Sequence, residues 1–508
     1  MKKYFLLFLA FQLIYFLHLK AQDCNECRYL SPVFDSVTVS TVAFGEGYNI
    51  DGVNQQLLMD IYEPYGDTST KRPVMIFAFG GGFVQGSRED WYVKEVCNHF
   101  AKAGYVSVAP DYRIGIDYGE ILALQHMRIF FRPMQDMRAC VQYLKADFSE
   151  LGNNYLIDTS YIFIGGASAG AITSLMTAYC DKDLEMAEMG DLAALDDLGG
   201  FYSTTGYYPN YTWNGCATIN VSGAMINADW IEAGDVPIIS AHGNADDVVP
   251  YGYGGLGGIT FGVFDLQGSH IIDSVATAKG VCSYLYTMEG QGHPSESMGL
   301  DYIKSVVYRL SLRAHAVLMN RSFCCPLSVD IEGDTLFHWT DQAPVSATLA
   351  AGIANDNGSA TLQWCTIPCF PFTDNGDEIT LTPDTNLKHV MAIAFEGGCE
   401  ASDLYIVTDT AFVPESINEY EKLIDFLVYP QPASREITIS AELPVNSGKQ
   451  LRIELFNIKG QSVFAQHFSA NKKLKTTIET IEFPSGNYLL RLKSENEVLG
   501  TKKIIITR

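Results

Sequence analysis

Ser168 stands at the centre of Gly166-Ala167-Ser168-Ala169-Gly170, between the apolar run Tyr161-Ile162-Phe163-Ile164 and a helix-like stretch from Ala171 to Met176. Glycines two residues to either side of a serine fit a sharp strand-to-helix turn, because a Cβ there would strike the neighbouring strand or helix. Such an elbow lifts the hydroxyl clear of a sheet, and the helix N-terminus beyond it favours negative charge. The serine can act as an acyl-transferring nucleophile if a base, an orienting acid and oxyanion donors reach it. His293, in Glu289-Gly290-Gln291-Gly292-His293-Pro294, is the candidate base, and the acid is Asp246 or its neighbour Asp247 in His242-Gly243-Asn244-Ala245-Asp246-Asp247-Val248-Val249-Pro250. Backbone N–H groups of Gly81 and Gly82, in Phe79-Gly80-Gly81-Gly82-Phe83, and of Ala169 can face a developing oxyanion. A phosphate cradle would place Lys-Ser/Thr after the glycines, and none follows.

These motifs share a family resemblance. His242 to Pro250 resembles the His-Gly-x-x-Asp-x-x-Val-Pro pattern of α/β-hydrolase esterases. It implies Asp246 as the acid and His242 as a structural residue, not the base. Gly80 to Gly82 and the later Val106-Ser107-Val108-Ala109-Pro110-Asp111-Tyr112-Arg113 resemble the His-Gly-Gly-Gly loop and Val-Asp-Tyr-Arg element of hormone-sensitive-lipase-like carboxylesterases. Here Phe79 replaces the loop histidine, which in that family shapes the loop rather than reacts. The resemblance covers about residues 30 to 310. It implies a serine carboxylic-ester hydrolase with Ser168, His293 and Asp246 as the triad, Gly81, Gly82 and Ala169 as the oxyanion hole, and neither cofactor nor metal. A prolyl-oligopeptidase-like peptidase and a surface carbohydrate-binding protein with weak catalysis are the alternatives. The intact Ser168, Asp246 and His293 argue against the second. The aromatic-rich stretch from Gly199 to Trp213 places Tyr207, Tyr208 and Trp213 as candidates to stack on a sugar or phenolic acyl group of a small or polysaccharide ester, or else to pack as a loop.

The elements that must carry these residues are legible as alternation. Strand-like runs at 37–44, 56–62, 74–79, 105–109, 161–164, 219–225, 237–241 and 283–287 predict eight strands. The first two lack an intervening helix and suit an antiparallel start, while the later ones are separated by helix-like stretches such as 95–103 and 135–145. The fold class expected is an α/β-hydrolase sandwich with a mostly parallel eight-stranded sheet and its site at the carboxyl edge of the strands. Past Leu312, short Thr/Val/Ile runs between turn residues predict two small β-sandwich domains. The first contains Trp364 and Cys399 in an immunoglobulin-like pattern.

The last stretch carries Tyr429-Pro430-Gln431-Pro432-Ala433, Phe456-Asn457-Ile458-Lys459-Gly460-Gln461, Phe483-Pro484-Ser485-Gly486-Asn487-Tyr488 and the terminal Lys502-Lys503-Ile504-Ile505-Ile506-Thr507-Arg508. In this order they resemble the C-terminal sorting domain of type IX secretion. The resemblance implies the secretion machinery as a partner, and release or display at the outer membrane of a Gram-negative cell. Met1-Lys2-Lys3 and the apolar residues 4–17 read as a secretory signal, too short to favour a membrane span. The expected layout is a signal peptide at 1–21, a catalytic domain at 22–318, a β module at 319–410, a linker at 411–424 and the sorting domain at 425–508. A formal net charge of -25 repels nucleic acid and anionic membranes. Of the twelve cysteines, Cys97, Cys140 and Cys282 read as core, Cys24 and Cys27 as a disulfide or packing pair, and Cys324, Cys325, Cys365, Cys369 and Cys399 as staples of the small β domain.

Overall fold

Every residue of Val74 to Ala78, Val106 to Pro110 and Ala217 to Val221 is buried, the polar Ser107, Thr218 and Asn220 included, as suits strands covered on both faces. They lie in an eight-stranded sheet built from β1 (Val37–Tyr48), β2 (Asn54–Pro64), β3 (Arg72–Ala78), β4 (Val106–Pro110), β5 (Ile157–Ala167), β6 (Ala217–Val221), β7 (Ile238–Gly243) and β8 (Ser283–Met288). The spatial order is β1-β2-β4-β3-β5-β6-β7-β8. β1 pairs antiparallel with β2, and β2 with β4; every later neighbour is parallel. Helices α1 (Trp91–Lys102) and α4 (Leu300–Leu318) pack together on one side, and α2 (Met127–Ser149) and α3 (Ala169–Tyr179) on the other. This is the doubly covered sheet that the alternation of strands and helices predicts. The computed structural model describes residues 27–117, 119, 126–256, 265–294, 300–333, 336–337, 347–367, 372–381, 389–406, 408–409, 426–429, 435–442, 450–457, 462–469, 473–481, 483–484, 486–494 and 497–506. The expected signal at 1–21, Cys24 and Cys369 lie outside them. Among the described residues no helix is long and apolar enough to cross a membrane.

One strand differs from its sequence reading. The run 219–225 breaks at Ser222, whose φ of 52° is left-handed, and Ala224–Met225 joins a separate small sheet with Leu266–Gly268. The cause is local: Asn220 Oδ1 accepts the Gly223 N–H at 2.9 Å and turns the chain out of the main sheet.

The first β module consists of two sheets. One orders Ser328–Gly333, Ala347–Ala354, Glu378–Leu381 and Phe372–Asp374; the other orders Thr361–Ile367, His389–Glu396 and Cys399–Ile406. Trp364, Val390 and Ala392 face the opposing sheet and share a core with Leu349, Ile379 and Leu381. Cys365, Ile367, Met391 and Ile393 alternate with them and face the other way, into a core shared with Leu30, Tyr308 and Leu312 of the catalytic domain. The cysteine expectation is corrected by this alternation. Cys365 bonds Cys27 and Cys324 bonds Cys282, so the described bridges fasten the module to the catalytic domain instead of stapling the module itself, and Cys282 is not a core thiol. Glu400 reinforces the seam, accepting from His315 Nδ1 and Arg321 Nη1 at 2.8 Å each.

The C-terminal unit is a second antiparallel sandwich. Phe426–Tyr429, Glu436–Glu442 and Lys473–Glu479 form one sheet, and Ser462–Ser469, Gln450–Asn457, Gly486–Ser494 and Glu497–Ile506 the other. Its core includes Ile437, Ile453, Leu455, Tyr488, Leu490, Ile504 and Ile506, so the terminal motif supplies inward-facing residues of the last strand.

Candidate active site

The register of the central strands brings the chemistry to one edge. Ala78 of β3 pairs with Gly166 of β5, Ala167 with Val221 of β6, and Val221 with Ala241 of β7. The residues that follow each strand therefore emerge side by side at the carboxyl ends. Ser168 is the turn itself, with φ 53° and ψ -119°, and its N–H donates to Val221 O at 2.8 Å. A side chain in that region of φ/ψ is strained, and tight surroundings hold it there. A Cβ on Gly170 would lie 2.4 Å from the carbonyl oxygens of Ala78 and Phe79, and one on Gly166 2.8 Å from Ala78 O. Both glycines are thus required by close backbone approach, as the sequence pattern implied.

His293 and Asp246 meet Ser168. His293 Nε2 lies 2.9 Å from Ser168 Oγ, and His293 Nδ1 lies 2.7 Å from Asp246 Oδ2. Asp246 Oδ1 accepts the N–H groups of Val248 and Val249 at 2.9 Å each. His242 is fully buried behind this acid, with Nε2 3.2 Å from Asp246 Oδ2. Burial disfavours charge on Asp246, but the bonds from His242, His293 and the Val248 N–H outweigh it and hold the carboxyl well below the usual carboxylate range. A permanently ionised Asp246 fixes the Nδ1–H tautomer of His293, leaving Nε2 to accept a proton from the serine.

The glycine-rich loop follows β3 directly and lies against Ser168: a Cβ on Gly80 would sit 3.1 Å from Ser168 Cβ. Gly80 N–H donates to Tyr92 Oη at 2.6 Å, so it is engaged elsewhere while Gly81 and Gly82 continue the loop at φ 116° and 63°. Burial pushes the Tyr92 phenol up to about 12, which keeps it a neutral acceptor. Phe79, the departure from the family pattern, is buried. Its ring stacks on Tyr112 at 4.1 Å, and Tyr112 Oη donates to Phe79 O at 2.8 Å. Further along the loop, Arg88 Nη1 donates to Asp111 at 2.9 and 3.0 Å. Tyr92, Arg88, Asp111 and Tyr112 are loop anchors that sequence reasoning missed. Only the Asp111-Tyr112-Arg113 element carried a signal, as part of the resemblance. Ala169 opens α3, and the first N–H groups of a helix have no intrahelical acceptor.

In the aromatic stretch Tyr208 and Trp213 have their described partners on α2, as in the packed-loop alternative, while Tyr207 is exposed. Tyr208 packs edge-on against Tyr143, Tyr211 Oη reaches Glu150, and the Trp213 ring sits 4.5 Å from the buried Arg138 guanidinium. Arg138 lies midway along α2, Tyr143 in its second half and Glu150 just past its end, before the chain enters β5. The segment is a packed crossover leading to β6, and Tyr207 bonds through its N–H to Phe44 O of β1.

Residues 59–198 match the BD-FAE family, and residues 427–507 match the secretion system C-terminal sorting domain. Solved structures of similar fold include the propionate-bound esterase Est2 of Thermogutta terrifontis, 22% identical, covering 57% of this chain and 96% of that one at a TM-score of 0.37. A truncated carbohydrate esterase from gut microbiota is 16% identical over 56% of this chain and 99% of that one, also at 0.37. Brefeldin A esterase, a bacterial homologue of human hormone sensitive lipase, is 14% identical over 55% and 74%, at 0.35. At these scores the likenesses carry no part of the assignment. The non-reducing polyketide synthase ausA of Aspergillus calidoustus is 31% identical over 121 residues, 23% of this chain, and pkbA of Emericella nidulans is 26% identical over 194 residues, 36% of this chain. The chain spans only 4% and 7% of those two proteins.

The doubly covered eight-stranded sheet with Ser168 at a strand-to-helix turn is an α/β-hydrolase fold, and residues 59–198 within it match the BD-FAE family. The chain's final unit, residues 427–507, matches a secretion system C-terminal sorting domain.

Proposed function

We propose that the chain is a serine carboxylic-ester hydrolase acting through an acyl-enzyme on Ser168. The observation that carries this reading is the unbroken line from Ser168 Oγ to His293 Nε2 at 2.9 Å and from His293 Nδ1 to Asp246 Oδ2 at 2.7 Å. Ser168 Oγ attacks the ester carbonyl while His293 Nε2 takes its proton. The tetrahedral oxyanion is stabilised by the N–H groups of Gly81, Gly82 and Ala169. His293 returns the proton to the departing alcohol, leaving the acyl group on Ser168. A water deprotonated by His293 then releases the acid. Asp246 stays ionised throughout, orienting His293 and stabilising its protonated form.

The reading is tested by hydrolysis of p-nitrophenyl acetate and butyrate beside the Ser168→Ala variant, followed by acetylated xylan and feruloyl esters to place the natural ester. Wild-type turnover that disappears in the variant is expected; equal rates would refute the serine mechanism. Export is taken to run through the periplasm of a Gram-negative cell, with the signal at 1–21 removed on the way. Deleting residues 427–508 should then leave the enzyme in the periplasm, and undiminished delivery to the medium would contradict it.

A further inference from the structure

The acid of the site has a buried support whose proton positions are dictated by its surroundings. The Gly223 N–H can only donate, so Asn220 Oδ1, 2.9 Å away, is its acceptor and Asn220 Nδ2 points the other way. Asn220 Nδ2 donates to Ser240 Oγ at 3.0 Å and Ser269 Oγ at 2.9 Å. Ser269 Oγ lies 2.7 Å from His242 Nδ1. On its far side His242 Nε2 faces two acceptors, Asp246 Oδ2 and Val249 O, each at 3.2 Å. A bare nitrogen between a carboxylate and a carbonyl would be repelled by both, so Nε2 carries the proton. Nδ1 then accepts, and the Ser269 hydroxyl donates to it in preference to Gly223 O at 3.3 Å. Asn220, Ser240, His242 and Ser269 are all fully buried, so no solvent competes for these bonds.

We propose that His242, locked as the Nε2–H tautomer by Ser269 and Asn220, is a positioning residue that sets the charge and orientation of Asp246 and so tunes His293. The proposal rests on the serine-esterase reading of the site. The lock moves no proton during turnover. It gives Asp246 Oδ2 a second N–H donor beside His293 Nδ1, which disperses the carboxylate charge and stops the acid from rotating away from the base. Of the other groups facing His242, Tyr251 meets it edge-on at 5.6 Å, donating to or accepting from Thr287 Oγ1, and His270 stacks on the far face of Tyr251 at 5.4 Å.

The chain with residues 27–409 intact would be made as wild type and as Ser168→Ala, His242→Leu, His242→Gln and Ser269→Ala. Each would be assayed for kcat and KM on p-nitrophenyl acetate from acid to neutral pH, with thermal unfolding alongside. His242→Leu removes the donor while keeping an apolar side chain of similar reach; His242→Gln restores an N–H at the ε position. Loss of the donor concentrates charge on Asp246 and strengthens its hold on the protonated base. The acid limb of kcat/KM in His242→Leu should therefore move to higher pH, and kcat should fall on the order of 10–100-fold with little change in KM, the usual scale for a residue that orients another. His242→Gln should recover most of the loss, and Ser269→Ala should fall between. Where His242→Leu does not fold, the comparison of Ser269→Ala with wild type decides. Variants that match wild type in rate and acid limb, or whose losses follow their unfolding temperatures with the limb unmoved, overturn the proposal alone. Wild-type rates equal to those of Ser168→Ala overturn the esterase reading and this proposal with it.

Discussion

At the scale of single residues, Asp246 offers the sharpest separation between orientation and folding. Its carboxyl is held below the usual range. The stability it contributes is therefore present above the ordinary carboxylate value and is lost as pH falls through the lower native one. Asp246→Asn should reduce kcat by about 10⁴, because the amide presents a donor or a weaker acceptor to His293 Nδ1 and disturbs its tautomer. The stability deficit of this variant in urea unfolding should be largest near neutral pH and shrink below about pH 4, where the unfolded wild-type carboxyl takes up a proton that the native one does not. A deficit independent of pH would mean that the ionised carboxylate is not what the fold favours. Ser168, Asp246 and His293 were legible because each stands in a motif set by backbone sterics: glycines where Ala78 O and Phe79 O approach, and a strand end before each loop. His242 was legible as structural, but its bond to Ser269 joins residues 27 apart with no periodic signal between them.

At the scale of the element, the glycine-rich loop proposed to hold the oxyanion is shaped from outside itself. Tyr92 sits on α1, Tyr112 after β4, and Asp111 beside it, and they hold Gly80, Phe79 and Arg88 respectively. Tyr92→Phe leaves the Gly80 N–H without its acceptor and frees the start of the loop. Turnover is expected to fall by about tenfold or more, short of the hundredfold or greater loss from removing an oxyanion donor outright. Phe79→His changes a buried ring that stacks on Tyr112, so its effect on turnover should be smaller than that of Tyr92→Phe and its cost should appear in stability. Kinetics of the two variants side by side check the ranking; a larger gain or loss from Phe79→His would place that side chain in the chemistry. The eight strands were readable from apolar runs, apart from the break at Ser222. The anchors were not, because each is a side-chain pairing between distant elements. The Tyr207 to Trp213 stretch was open between two readings for the same reason: its aromatics match a ring platform in composition, and the partners of Tyr208 and Trp213 on α2 have no signal in the spacing.

At the scale of the molecule, the catalytic domain and the first β module fold as one body. Cys27–Cys365 closes 338 residues and Cys282–Cys324 closes 42, and both cross the seam. By chain entropy, bridges of this kind contribute about 2–5 kcal/mol each. Residues 27–409 should melt in a single transition that reduction of both bridges lowers by several degrees, read by calorimetry with and without a thiol reductant. Two separate transitions in the oxidised protein would contradict the shared core. Removing residues 328–408 would bare Leu30, Tyr308 and Leu312, and the remainder should aggregate. The change from alternating α/β to β character past Leu312 was visible in the sequence, and so were the cysteines. Which partners they take depends on the two-residue alternation that turns Trp364 into the sandwich and Cys365 out of it, a register that no spacing of cysteines reveals.

The central claim, that Ser168 is the nucleophile raised by His293, is tested most directly by covalent capture. The protein is incubated with a p-nitrophenyl phosphonate ester, and intact mass with peptide mapping locates any adduct. One adduct per chain on the peptide containing Ser168 is expected, forming far more slowly in His293→Ala and not at all in Ser168→Ala. No adduct on a folded wild-type protein, or an adduct that persists unchanged in Ser168→Ala, would contradict it.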